Sequence, residues 1–215
     1  KELNQIYFKA LRWATNANKL MPKVALLYEA NAKPLFLTVT GRILNLLAKW
    51  DLMDDKFTSS QWIKLATDPV CSRVARKWTW RMYAIQASRK IGIDILGIIQ
   101  SAKSKSSTKD IPPPESQIKK GVDEYFKVWL KKGLEKCPSL NILSAEFESS
   151  KEIQKQKYLY DTDHLAVRAL LLVRTRTLPL NSRVAWASGT KSCPFYDCEC
   201  ETISHFLLEC PAYEI

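Results

Sequence analysis

Residue types that bind metals are concentrated near the carboxyl end of this 215-residue chain. The stretch CPFYDCECETISHFLLECP, residues 193–211, contains four of the six cysteines and one of the two histidines. A segment of about twenty residues cannot bury enough apolar surface to fold by itself, whereas a bound structural metal supplies folding free energy directly. We therefore expect this end of the chain to form a small knuckle around a metal ion.

The spacing of the donors favours a closed zinc site, because thiolate and imidazole are the ligands that Zn²⁺ prefers in tetrahedral structural sites. Thr202 is placed to cap a short helix that carries His205, and Pro211 favours an extended conformation at the cysteine before it. Five donors on so short a segment indicate a structural site rather than a catalytic one, which would need an open position. The expected site holds one structural zinc ion, with the ligands Cys193, Cys198, His205 and Cys210, and with Cys200 as the alternative to Cys198.

Reactive thiols without a metal, or disulfides, are the competing interpretation of these cysteines. Disulfides are disfavoured in a reducing compartment. The opening residues, Lys1 to Asn4, do not look like a secretory signal, and no apolar run approaches the length of a membrane span. The expected location is therefore the nucleus or the cytoplasm, with no membrane partner.

The remainder of the chain has the pattern of a helical protein. Apolar types make up 46% of the residues and recur at helical spacing, while glycine is scarce. Pro22 and Pro34 stand where helices begin, and Thr162 or Asp163 could cap another helix. The expected fold is mostly α, with a helical bundle region followed by a second small helical segment that ends in the Cys/His zinc knuckle.

One polar stretch, SAKSKSSTKDIPPP at 101–114, predicts a flexible Ser/Lys/Pro linker that ends in a stiff polyproline spacer. It divides the chain into a helical domain with a basic helix at 1–100 and a helical segment at 115–190. The zinc knuckle then occupies residues 191–215.

The formal charge of +11 is unevenly distributed. From Cys71 to Lys105 there are eight Lys and Arg residues against one acid, Asp94, a net charge of +7. Such a concentration is typical of a protein that binds a polyphosphate chain. A helix at about 70–88 would place several of these charges beside Trp80, whose indole could stack on unpaired bases. The expected nucleic-acid contacts are Arg73, Arg76, Lys77, Trp80, Arg81, Arg89 and Lys90.

Two plainer interpretations remain open for this basic segment. The charges could form a solvated helix face in a basic protein. Trp80 could pack against a neighbouring helix, which is the commoner use of a single tryptophan.

The knuckle resembles the zinc-binding segment that follows the polymerase domain in non-LTR (LINE-type) retrotransposon reverse transcriptases. In that family two cysteines precede Glu-Thr or Glu-Ser, a His and a final Cys-Pro. The corresponding residues here are Cys193, Cys198, Glu201-Thr202, His205 and Cys210-Pro211. Four residues separate the first two cysteines here rather than the commoner two, and Cys200 is additional, so this chain departs from the family pattern at the second ligand.

Two longer stretches extend the resemblance. VRALLLVRTRTLPLNSRVAW, at 167–186, is similar to the Arg- and Leu-rich lead-in to that knuckle. More loosely, residues 11–50 are similar to the helical region after the polymerase thumb. The resemblance implies the post-polymerase portion of such an element, or a host protein derived from it, which helps to hold template RNA and target DNA.

The carboxylate pair that polymerase chemistry requires is not evident in the sequence. Asp161 and Asp163 lie in helical rather than hairpin surroundings, where Asp163 reads as a cap and His164 as a helix-face residue. We therefore expect no enzyme and no small-molecule substrate, but a non-catalytic, zinc-stabilised module that binds RNA and/or DNA.

The alternative function is a protein-interaction module of a domesticated, retroelement-derived protein. Tryptophan is enriched at the energetic centres of protein interfaces. The candidates are Trp13, Trp50, Trp62, Trp129 and Trp186.

Overall fold

The computed structural model describes residues 2–53, 80–104, 113–150, 153, 156–160, 163–180, 189–195 and 198–213. Within these ranges the chain is mostly α-helical and contains no strand, which confirms the expected fold class. The helices are α1 Glu2–Ala14, α2 Lys23–Glu29, α3 Leu35–Leu52, α4 Trp80–Lys90, α5 Ile95–Ser104, α6 Pro114–Glu135, α7 Asn141–Ser150 and α8 His164–Arg174. Shorter turns are 3₁₀ at Pro138–Leu140, Lys157–Tyr160 and Pro211–Tyr213, and π-helical at His205–Glu209.

The chain forms two compact units. The first comprises Lys1–Ala32 together with Lys131–Ile215, and the second comprises Lys33–Leu130. Residues 101–104 of the predicted linker form the last turn of α5, and its Pro114 is the first residue of α6. Residues 105–112 lie outside the described part of the chain. The division into domains at 1–100, 115–190 and 191–215 stays a prediction.

Three helix starts follow the predicted signals. Pro22 directly precedes α2 and Pro34 directly precedes α3, where the fixed φ of proline suits the entry into a helix. The Asp163 carboxylate caps α8 by accepting hydrogen bonds from the backbone N–H groups of Leu165, at 2.9 Å, and Ala166, at 3.0 Å. Local sequence therefore determines where these helices begin.

In the second unit, α3 packs against α4 and α5. Helix α3 buries Leu37, Leu44 and Leu47, whereas Val39 and Leu46 are exposed. Helix α3 carries apolar residues around most of its circumference, so the packing of its neighbours rather than its own periodicity selects the buried side.

Helix α6 buries an apolar stripe, and two glycines on it allow close approach of other side chains. Ile118, Val122 and Phe126 are all buried. A Cβ added at Gly121 would lie 2.7 Å from Cγ1 of Ile93. Gly133 also lies inside the helix, and a Cβ there would lie 2.7 Å from Cγ2 of Val24. The absence of a side chain at Gly133 therefore makes room for Val24.

In the first unit, ionic and polar groups form a network around one buried carboxylate. Glu29 at the end of α2 is fully buried and accepts hydrogen bonds from the Tyr158 hydroxyl, at 2.7 Å, and from Arg174 Nε, at 2.9 Å. Arg174 Nη2 also donates to Glu146, at 2.7 Å. Burial raises the pKa of Glu29, whereas Tyr158 and Arg174 oppose that rise. These four residues come from well-separated parts of the sequence and connect α2, α7 and α8.

No described helix combines the length and the apolar character that a membrane crossing requires.

Candidate metal centre

Three of the four predicted zinc ligands come together in the first unit. Cys193, His205 and Cys210 are all buried, and their donor atoms lie within 4.8 Å of one another. The Cys193 and Cys210 sulfurs are 3.8 Å apart, much more than the roughly 2.05 Å of a disulfide bond. Two thiolates at about 2.3 Å from one tetrahedral ion would have sulfurs about 3.8 Å apart. The donor set and its spacing therefore fit a bound metal ion.

A π-helical turn brings His205 and Cys210 to the same side. Thr202 Oγ1 accepts a hydrogen bond from the His205 backbone N–H at 3.0 Å, which confirms its predicted role as a cap. The Cys210 backbone N–H then donates to the His205 carbonyl oxygen at 2.8 Å, across five residues rather than the four of an α-helix. Cys210 is extended, as expected before Pro211. The π turn was not predicted, and such turns are frequent at functional sites.

Backbone hydrogen bonds close the loop that carries Cys193. Its N–H donates to the carbonyl oxygen of Cys198 at 3.3 Å. The N–H of Glu201 donates to the carbonyl oxygen of Lys191 at 2.8 Å. These bonds fold the two sides of the loop against each other and hold the Cys193 thiol beside the π turn.

The remaining two cysteines lie outside the group of three. Cys198 and Cys200 are both half-buried, and the Cys198 thiol donates a hydrogen bond to the Cys200 carbonyl oxygen at 3.1 Å. The backbone hydrogen bond between Cys198 and Cys193 keeps Cys198 on the loop that carries the cluster. The choice between Cys198 and Cys200 as the fourth ligand stays a prediction.

The electrostatic surroundings of the cluster favour a cation. Burial raises the pKa of the Cys210 thiol, the hydrogen bond and charge of Cys193 and the charge of Glu201 raise it further, and the Ala212 backbone opposes the rise. Glu201 is itself buried, and it entered the sequence reasoning only as part of the Glu-Thr pair. The presence of an acidic residue within the cysteine-rich stretch of the sequence was the signal that could have pointed to it. A divalent cation would stabilise the thiolate form of Cys210, which these surroundings otherwise disfavour.

The predicted nucleic-acid contacts are only partly within the described chain. Arg73, Arg76 and Lys77 lie outside the described residues. Arg89 and Lys90 are exposed at the end of α4.

The other two predicted contacts make interactions inside the second unit. Arg81 forms an ion pair with the buried Asp51 at 2.8 Å, a partner that the sequence reasoning missed. Trp80 is 36% exposed and packs against Trp50, with ring centroids 5.1 Å apart, as in the plainer interpretation of this residue. No side chain of the described α4 is acidic, so Arg89 and Lys90 have no carboxylate on their own helix.

Comparisons with known proteins identify no relatives: no family model, curated protein or solved structure matches this chain. Functional inference therefore depends on the chemistry of the cysteine–histidine cluster and of the basic helix.

Proposed function

We propose that this chain is a non-catalytic module that binds RNA and/or DNA and is stabilised by one structural zinc ion. The buried group of Cys193, His205 and Cys210 supports the metal, and two thiolates with an imidazole suit zinc better than magnesium or calcium. Cys198 supplies the fourth ligand in this proposal, with Cys200 as the alternative. Four protein ligands leave no open position, so the ion holds the knuckle together and carries out no reaction.

The nucleic-acid part of the proposal is carried by the exposed basic end of α4. Arg89 and Lys90 project from a helix without acidic residues, in a chain of net charge +11. Phosphate chains bind such surfaces by releasing condensed counterions. The resemblance of the knuckle to LINE-type reverse transcriptases supports the same ligand class. Zinc-bound cysteines must stay reduced, which supports a nuclear or cytoplasmic location.

Native mass spectrometry tests the metal site. We expect one zinc ion per chain in the wild-type protein and loss of zinc in Cys193→Ser. Comparison of Cys198→Ser with Cys200→Ser identifies the fourth ligand, because only the variant that lacks this ligand loses affinity for zinc. A wild-type protein purified without chelators that neither carries nor takes up zinc contradicts the proposal.

Binding at different salt concentrations tests the nucleic-acid function. We expect the logarithm of affinity for single strands to fall with the logarithm of salt concentration by about 0.7 per neutralised phosphate. Charge reversal in the double variant Arg89→Glu/Lys90→Glu should weaken binding and flatten that slope by at least about 1.4. The double variant Lys132→Glu/Lys136→Glu, at two exposed lysines of the first unit, is the control with the same change in net charge. Binding that is independent of salt, or insensitive to the double reversal, contradicts the proposal.

A protein-interaction module is the second candidate, and the exposure of α1 favours it. Helix α1 contains no buried residue, and Trp13 on it is 86% exposed. Trp50 and Trp129 are half-buried, whereas Trp62 and Trp186 lie outside the described residues. This candidate predicts that one defined protein partner remains bound after nuclease treatment and is lost with Trp13→Ala. It also predicts that the purified chain has no salt-dependent affinity for nucleic acid.

A further inference from the structure

Helix α4 presents one continuous exposed face, which we call the outer face. At 100° per residue its members fall within an arc of about 120°. The opposite side carries the buried Ala84 and Ser88, which fix the orientation of the helix in the second unit. The members of the outer face are Met82, Tyr83, Gln86, Arg89 and Lys90, and each of them is exposed.

The aromatic residue on the same side as the cations is Tyr83. Its side chain is 59% exposed, and it precedes Lys90 by seven residues, which is about 10.5 Å along the helix and nearly the same direction. Trp80, the aromatic residue that the sequence indicated, packs against Trp50 instead. Tyr83 is therefore the aromatic residue of α4 that shares a surface with Arg89 and Lys90.

We propose that the outer face of α4 binds single-stranded nucleic acid, with Tyr83 stacking on an unpaired base and with Arg89 and Lys90 contacting phosphates. This inference rests on the proposed nucleic-acid function and assigns it a strand preference. An aromatic side chain stacks on the face of a base only where the base is not already stacked and paired in a duplex. The phosphate contacts supply affinity without sequence specificity, and the stacking contact selects single strands.

Charge complementarity is the reason to assign this face to nucleic acid rather than to a protein. Its two charged members, Arg89 and Lys90, are cations, and α4 itself contributes no carboxylate; Asp94, which follows the helix, lines a surface pocket together with Arg89. Tyr83 and Gln86 add a ring and an amide, groups that stack on bases and hydrogen-bond to their edges. A duplex would satisfy the cations but would offer the tyrosine ring no unpaired base on which to stack.

Fluorescence anisotropy with two probes separates stacking from charge. One probe is an oligothymidine of about 12 nucleotides, and the other is an abasic strand of the same length and phosphate number. We expect Tyr83→Ala to lower affinity for oligothymidine about 5- to 150-fold and to leave affinity for the abasic strand unchanged. Tyr83→Phe should retain wild-type affinity, since it keeps the ring. Tyr160→Ala, at an exposed tyrosine of the first unit, is the matched control and should not change binding.

The outcomes distinguish this inference from the function on which it rests. If the wild-type protein binds with a steep salt dependence and Tyr83→Ala binds oligothymidine equally well, the stacking role is wrong and the proposed function stands. If Tyr83→Phe loses as much affinity as Tyr83→Ala, the hydroxyl group acts rather than the ring, and the stacking role is also wrong. A wild-type protein that binds neither probe at low salt overturns both. Circular dichroism of each variant checks that the helices are intact.

Discussion

Replacement of Arg174 by methionine should strongly destabilise the first unit. Methionine keeps much of the side-chain length but removes the positive charge that binds Glu29 at 2.9 Å and Glu146 at 2.7 Å. Removing one partner of a buried ion pair costs about 3–5 kcal/mol, because the other charge is left uncompensated. Glu29 is fully buried, but the side chains of Arg174 and Glu146 are 26% and 33% exposed and thus partly screened. We therefore expect a loss near the lower limit, about 3 kcal/mol at pH 7.

The loss should depend on pH, and its direction follows from the pKa of Glu29. Burial already raises that pKa above its ordinary value, and Arg174 is one of the groups that oppose the rise. In Arg174→Met the pKa rises further, so folded Glu29 retains a proton that the unfolded chain releases above a pKa of about 4.3. The free energy of unfolding of the variant therefore falls as pH increases from about 4.3 to the raised pKa of folded Glu29. The difference from wild type should be small near pH 4 and largest at neutral pH.

Urea unfolding followed by circular dichroism at several pH values between about 4 and 7 measures this difference. Arg168→Met is the matched control, because Arg168 is exposed on the same helix, and its change should stay within about 0.5 kcal/mol. A difference below about 1 kcal/mol for Arg174→Met at pH 7, or one of the same size at both ends of the pH range, would refute the reasoning.

Three further predictions concern the metal centre, a close contact and a helix cap. Cys210→Ser should abolish stoichiometric zinc binding in a chelator competition assay, while Cys137→Ser, outside the cluster, should keep it. Gly133→Ala should lower the free energy of unfolding by about 1–3 kcal/mol, because its Cβ would lie 2.7 Å from Val24; an unchanged urea midpoint would contradict this. Asp163→Ala should cost about 1 kcal/mol by leaving two N–H groups of α8 uncapped, whereas Asp163→Asn should retain most of that stability in the same assay.

Much of the local structure could be predicted from the sequence. Pro22, Pro34 and Asp163 mark helix starts because their effect on the backbone extends over only a few residues. The convergence of Cys193 with His205 and Cys210 was predictable for a related reason. Cys193 and Cys210 are only seventeen positions apart in the sequence, and His205 lies between them. Even here the π turn was missed, because an extra residue in a helical turn leaves no mark in apolar spacing.

The sequence by itself determined that the chain is helical, where several helices begin, and which residues could hold a metal ion. Only the tertiary structure decided that Arg81 pairs with Asp51, that Trp80 packs against Trp50, and that α4 exposes Tyr83 beside its cations. It also decided which side of α3 is buried and which residues surround Glu29, whose partner Arg174 is 145 residues away. Such contacts depend on how whole helices are oriented in the core, and no pattern within a single helix encodes the position of its neighbours.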